Sequence, residues 1–288
     1  MTARVAVAII HGMGNQEQDF HLPLVEDITR KLKQQHIDPD DFAFRPIWWA
    51  RIMAAKEEWL IEALKKNNNL DWMRLRKFVV QALADAIAYQ KTYRSTASPT
   101  HETPIYELVH QLIGHEVHRL STMVQHPAPF VVIGHSLGCH MMSNYIWDTQ
   151  HGNLDYVTDK NNPFERLETL SFLATFGCNI PLFVLANNAL EPIQFPPPSA
   201  SNVFPNKPDG AIRAATQWLN FYDPDDVLGW PLKGLSPNYE QTVRRDIAVN
   251  AGNLLTSWNP ASHSGYWHDN DVTGPIADGL AQIRALLP

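Results

Sequence analysis

Apolar residues occur along this chain in two spacings. Short, mostly apolar runs at Val5–Ile10, Phe42–Trp49, Phe130–Ile133, Leu167–Thr175, Trp218–Tyr222 and Ile247–Leu255 have the length and boundaries of strands. A strand buried on both faces loses the polar alternation of a half-exposed one, so these runs predict a sheet with helices on both sides. Between them lie stretches of helical spacing: Leu22–Gln35, Ala54–Arg94, Ile105–Gln125, Leu137–Thr149 and Ile276–Leu287. Strands alternating with helices imply crossover connections, and therefore an α/β fold whose sheet is mostly parallel.

Two segments depart from that alternation. Ala54–Arg94, broken at Asn67-Asn68-Asn69, is more helix than one crossover needs and predicts a helical insertion. Its Trp59, Trp72, Met73, Phe78 and Tyr89 read either as a lid over an apolar site or as the inward stripe of ordinary helices. Residues 191–210 carry Pro192, Pro196, Pro197, Pro198, Pro205 and Pro208, which predicts an irregular surface loop, one that could line a site. Otherwise the chain, 1–288, reads as a single domain.

The most informative residues are Gly134-His135-Ser136-Leu137-Gly138, between the Phe130–Ile133 run and an apolar helix. A G-x-S-x-G turn between strand and helix strains the serine and needs small neighbours, so that the hydroxyl projects above the sheet edge. The helix that follows presents backbone N–H groups to developing negative charge. Ser136 is thus a candidate nucleophile, and a serine needs a base and an orienting carboxylate, which in this architecture follow in the order Ser, Asp or Glu, His. His151 falls where the helix after the turn should end, far from the active edge. His263, in a loop among small neighbours, is preferred over His268, which sits among Trp267, Asp269 and Asp271 as a polar turn.

For the carboxylate, Trp218–Tyr222 runs into Asp223-Pro224-Asp225-Asp226. The carboxyl end of a strand faces the crevice where α/β sheets bind ligands. Asp223, first off the strand and stiffened by Pro224, is the first choice and Asp226 the second; Asp225 reads as solvated. A weak Ca²⁺ site is the competing reading, but the oxygen density is too low for it. The first strand ends in His11-Gly12-Met13-Gly14, where glycines let the backbone approach a ligand. The amides of Met13 and Leu137 are the candidate oxyanion donors. A dinucleotide G-x-G-x-x-G fails because Glu17 holds its third position.

Four motifs, His11–Gly14, Gly134–Gly138, Asn220–Asp223 and Ser262–Trp267, resemble those of the α/β-hydrolase superfamily, in particular its lipase-like and esterase-like serine hydrolases. The resemblance implies an α/β-hydrolase fold with a minimal sheet, a Ser-His-Asp triad and an oxyanion hole, and cleavage of a carboxylic ester; the chain has no C-x-x-C and no P-loop, so no metal or nucleotide cofactor is expected. The same triad serves thioesterases and acyltransferases, and a non-catalytic binding protein can keep the fold.

Composition narrows the partners. With Lys plus Arg at 23 and Asp plus Glu at 30, the net charge of −7 argues against nucleic acid or anionic lipid. The expected partner is a small-molecule or lipid-like ester; oligomeric state has no signature here. Cys139 and Cys178, each in an apolar stretch, fit reduced thiols in a cytoplasmic protein. The run after Arg4 is too short for a signal sequence, and no segment reaches the ~18 apolar residues of a membrane span. His115-Glu116-Val117-His118 lacks the H-e-x-x-H zinc spacing and reads as a solvated helix face, while His135 and His140 beside the serine read as structural.

Overall fold

The computed structural model describes residues 2–14, 16–66, 76, 85–90, 103–183, 191–251 and 262–288. Six strands, β1 (Val5–Ile10), β2 (Phe42–Ile47), β3 (Phe130–His135), β4 (Leu170–Phe176), β5 (Gln217–Tyr222) and β6 (Arg245–Ala248), form one sheet in the order β2-β1-β3-β4-β5-β6. Every neighbouring pair is parallel. The described α-helices are α1 (Leu22–Gln34), α2 (Ala50–Lys65), α3 (Ile105–Ser121), α4 (Leu137–Gln150), α5 (Ile180–Phe183), α6 (Asp209–Ala215), α7 (Pro237–Thr242) and α8 (Asn270–Ala285), with short 3₁₀ turns between them. This is the expected α/β fold, a parallel sheet flanked by helices.

The continuous apolar runs are explained by two cores, one on each face. On β1, Val5, Val7 and Ile9 point to the side where Leu24, Ile28 and Leu32 of α1 and Ile276, Leu280 and Ile283 of α8 pack. Ala6, Ala8 and Ile10 point to the other side, against Val109, Ile113 and Val117 of α3 and Met141 and Ile146 of α4. Leu24, Ile28 and Leu32 are spaced i, i+4, i+8, the stripe that lets α1 bury one face.

Element boundaries moved where side chains outside the pattern intervene. β2 stops at Ile47, because Trp49 turns the chain into α2 four residues before the expected helix start. The α2 N-terminus is capped from outside: His11 Nε2 accepts from the Trp49 and Ala50 amides at 3.1 and 3.2 Å. α8 begins at Asn270 rather than Ile276, since the Asp269 side-chain cap on Asp271 and burial of Val272 outweigh the bond missing at Pro275. β4 starts at Leu170, as Leu167 adopts φ 60° in the preceding turn. α3 ends at Ser121, and β6 is a short edge strand that begins at Arg245 and leaves the ladder after Ala248. The rest of the Ile247–Leu255 expectation, from residue 252, lies outside the described residues.

In the 54–94 segment, α2 occupies the described first part, and Trp72, Met73 and Phe78 lie outside the described residues. Trp59 is 70% exposed, so the inward-stripe reading fails for it, whereas Tyr89 is buried as that reading expects. The Pro-rich segment is not wholly irregular or superficial. Pro198–Val203 forms a 3₁₀ turn, and Ile193, Val203 and Phe204 are buried. It also runs along the wrong edge to line the site: Gln194 pairs with Gln150 at the far end of α4, and Ser199 donates to the Glu168 carbonyl before β4. Among the described residues, no helix is long and apolar enough to cross a membrane.

One glycine sets how closely α3 can pack. A Cβ on Gly114 would lie 1.8 Å from the Tyr156 carbonyl oxygen. In an exposed helix Gly→Ala gains up to ~1 kcal/mol, but forced overpacking costs about 1–3 kcal/mol. Gly114→Ala is therefore expected to lower Tm by several degrees, at about 2–4 °C per kcal/mol. Gly274→Ala in α8, where a Cβ meets nothing within 4 Å, should leave Tm unchanged or raised. Thermal unfolding of the two variants side by side checks this.

Candidate active site

The carboxyl ends of β1, β3, β4 and β5 lie side by side, and the loops leaving them build one cluster. β3 ends at His135, and Ser136 sits in the sharp turn to α4 with φ 52° and ψ −125°, a conformation L side chains seldom adopt. Its amide donates to the Phe176 carbonyl at the end of β4 at 3.1 Å, which holds the strained turn against the sheet. Space for the turn comes from the expected glycines. A Cβ on Gly12 would fall 2.4 Å from the Ser136 Cβ, and one on Gly138 would fall 2.5 Å from the His11 carbonyl oxygen. Gly134 is less constrained, with its nearest neighbour, Cys139, 3.4 Å from such a Cβ.

His263, on the 3₁₀ turn Ser262–His268, brings Nε2 to 2.6 Å from the Ser136 Oγ. On its other side Nδ1 lies 2.7 Å from Oδ2 of Asp226. Ser136 has no exposed surface, and Asp226 and His263 are buried. His268 is exposed and precedes the α8 cap.

The carboxylate beside the histidine is Asp226, and the first-choice Asp223 is corrected to it. Asp223, directly off the strand, faces the neighbouring chain instead: its Oδ2 accepts from the Ala251 amide at 2.8 Å and its Oδ1 from the Asp225 amide at 2.9 Å. The Asp226 amide then donates to the Asp223 carbonyl at 3.0 Å, closing a turn that carries residue 226 back over the sheet edge. Pro224 at the second position of that turn was the signal available in the sequence, since proline pre-sets the turn and not the strand extension.

Burial alone would raise the Asp226 pKa. The hydrogen bond and charge of His263, with the Leu228 amide and the Tyr266 hydroxyl, outweigh it and hold the carboxyl below its ordinary value. Tyr266 was not singled out as a site residue. Its hydroxyl donates to Asp226 Oδ2 at 2.9 Å and accepts from the Asp223 amide at 2.8 Å, so one fully buried phenol links both aspartates. Gly177 and Gly229 were missed as well. A Cβ on Gly177 would lie 3.1 Å from the His263 ring, and one on Gly229 would lie 2.5 Å from Asp226 Oδ2. The far end of the loop is tied by Asp246 of β6, which accepts from the Leu232 and Lys233 amides and from Asn220 Nδ2 at 2.7 Å. Asn220 thus acts as an anchor for the loop that carries Asp226.

The loop after β1 lies against Ser136. Met13 follows Gly12 there, and Leu137 opens α4, where the first amides have no intrahelical acceptor. His11 holds the loop: besides capping α2, its Nδ1 lies 2.8 Å from the Gly12 carbonyl, and its own carbonyl accepts from Trp49 Nε1. Two amide donors at Nε2 and one carbonyl acceptor at Nδ1 require the neutral Nδ1–H tautomer. Burial pushes His11 down to about 3 and does the same to His140, which stacks on Phe183. Burial and then the neighbouring His263 push His135 well below its ordinary value, and its Nε2 donates to the His263 carbonyl at 2.7 Å. His135 is structural as expected, but what it positions is the backbone of His263.

The His115–His118 face is less solvated than its pattern suggests. Glu116 is buried and pairs with Arg45 of β2, and His118 Nδ1 lies 2.8 Å from buried Glu165.

No family model matches the chain, and no curated protein matches it in sequence. Among solved structures, the chain is similar to "a putative hydrolase of the alpha/beta superfamily" from Xanthomonas campestris pv. campestris. The two are 9% identical over 92% of this chain and 96% of the other, with a TM-score of 0.39. A likeness that distant says nothing about chemistry, so the functional reading rests on the geometry of Ser136, His263 and Asp226.

The buried neutral histidines make stability pH-dependent in a stated direction. Below pH 6.5 the unfolded chain's imidazoles take up protons that folded His11 and His140 refuse until about pH 3. Stability contributed by these groups is therefore present above pH 6.5 and lost as pH falls towards 3, at about 1.4 kcal/mol per pH unit for each. Denaturant unfolding should give a clearly lower midpoint at pH 5 than at pH 7, and His140→Gln should flatten the difference.

Proposed function

We propose that the protein is a serine hydrolase that cleaves a carboxylic ester through Ser136, His263 and Asp226. The observation that carries this reading is the unbroken hydrogen-bond chain from Ser136 Oγ to His263 Nε2 at 2.6 Å and from His263 Nδ1 to Asp226 Oδ2 at 2.7 Å. In this reading His263 accepts the hydroxyl proton as Ser136 Oγ attacks the acyl carbonyl, and the Met13 and Leu137 amides receive the oxyanion. His263 then returns the proton to the leaving alcohol, and water repeats the sequence on the acyl-enzyme. Asp226 keeps Nδ1 protonated and stabilises the imidazolium without taking the proton itself.

An apolar acyl group fits the surroundings. Leu182 after β4, and Val227 and Trp230 after β5, expose apolar surface on the loops that carry the site. Thioester hydrolysis and acyl transfer use the same groups, and rates on acyl-CoA and with added acyl acceptors separate them from ester cleavage. Because Ser136 has no exposed surface, neighbouring side chains must move before a substrate reaches it.

Ser136→Ala should abolish both p-nitrophenyl ester turnover and labelling by a fluorophosphonate, and labelling that survives the change would refute the nucleophile. Asp226→Asn should lower kcat by about 10⁴, the cost of leaving such a histidine in the wrong tautomer, whereas Asp223→Asn should act mainly on stability. Tyr266→Phe keeps the packing and removes both bonds of the hydroxyl, the one it donates to charged Asp226 and the one it accepts from the Asp223 amide. At about 1.5–3 kcal/mol for the bond to the charged group, kcat is expected to fall roughly 10- to 100-fold. Steady-state kinetics on the three variants read these outcomes.

A further inference from the structure

Outside the triad, one buried acidic pair touches the site. Asp85, 1% exposed, lies in the described stretch 85–90, and its Oδ2 accepts from the Gly14 amide at 2.9 Å. The Glu57 carboxyl of α2, itself buried, is close enough to act on its pKa. The triad chemistry uses neither group. Two buried carboxyls near one another are costly when both are charged, which favours the neutral form of Asp85.

The contact falls at a sensitive place. Gly12 is pressed against Ser136, Gly14 is bonded to Asp85, and Met13 lies between them. Gly14 has φ +89°, so its amide direction is set by the bond it makes and by no side chain of its own. The loop is thereby held at both ends by the helical segment that follows β2: at His11 by the α2 amides, and at Gly14 by Asp85.

We propose that Asp85 is a positioning residue for the oxyanion loop, its neutral carboxyl fixing Gly14 and hence the direction of the Met13 amide. This rests on the serine-hydrolase reading for its catalytic consequence, but the anchoring itself does not. Neutrality is part of the design. A buried carboxylate so near the site would oppose the negative charge that develops on the acyl oxygen, whereas a protonated acid accepts from Gly14 without adding that charge. Burial and then Glu57 push Asp85 up to about 8, in keeping with a protonated group at neutral pH. Asparagine is then its closest mimic, uncharged and with an acceptor oxygen in place.

The test compares Asp85→Asn and Asp85→Leu with the native chain at pH 7, by hydrogen exchange of the peptide that contains Gly14 and by ester kinetics. Asp85→Leu should speed that exchange at least tenfold and lower kcat about 10- to 100-fold with KM within threefold, while Asp85→Asn stays within threefold of the native chain on every reading. Unchanged exchange in Asp85→Leu, with the variant folded by circular dichroism, overturns the anchor. Faster exchange with unchanged kcat overturns the positioning role. A loss that Asp85→Asn shares in full overturns the neutral-acceptor argument. Should the native chain hydrolyse no ester, the functional reading fails, and the exchange comparison still decides the anchor.

Discussion

One carboxylate oxygen organises the candidate site. Oδ2 of Asp226 lies 2.7 Å from His263 Nδ1 and accepts from the Tyr266 hydroxyl at 2.9 Å, so it fixes the side of the imidazole that faces away from Ser136. Burial works against the charge of this carboxylate, and compensation comes from the His263 imidazole and the Tyr266 phenol at Oδ2 and from the Leu228 amide at Oδ1. Those donors come from segments about 40 residues apart in the chain. They meet because β5 and the chain after β6 leave adjacent positions on the same sheet edge. Glycines at 177 and 229 then let the groups approach to hydrogen-bond distance.

The second constraint is a set of histidines kept uncharged. His11, His135 and His140 are all buried with lowered pKa, and each is tied to the machinery by a bond or stack that a neutral ring makes best. His11 joins the loop after β1 to the α2 N-terminus, and His135 joins the end of β3 to the backbone of His263. Protonating either inside the fold would break an accepting contact or strand a charge in the core.

These ties give the helical segment after β2 a use beyond covering the sheet. α2 and Asp85 both bond to the loop that faces Ser136, α2 through the His11 ring and Asp85 through the Gly14 amide. Trp59, exposed on α2, shows that part of its apolar surface serves neither core.

Much of this architecture was legible along the chain. The alternation of apolar runs and helical stretches determined the α/β class, because burial on both faces of a sheet leaves a direct imprint on residue order. The strand, tight turn and helix around Ser136 were likewise local, since a strained turn must have small residues beside it in sequence. His263 could be chosen by its place after the last strand. The pairing of Asp226 with His263 was not local. Asp223 and Asp226 differ by one turn of backbone, and which carboxyl faces the histidine is decided by the Asp223–Asp226 turn, the Tyr266 hydroxyl and the Ala251 amide. The same holds for Gly177, Gly229 and Asp85, whose partners lie in other segments. A sequence records what each residue needs from its neighbours in the chain; hydrogen bonds and close contacts between distant segments exist only once the sheet has set their loops side by side.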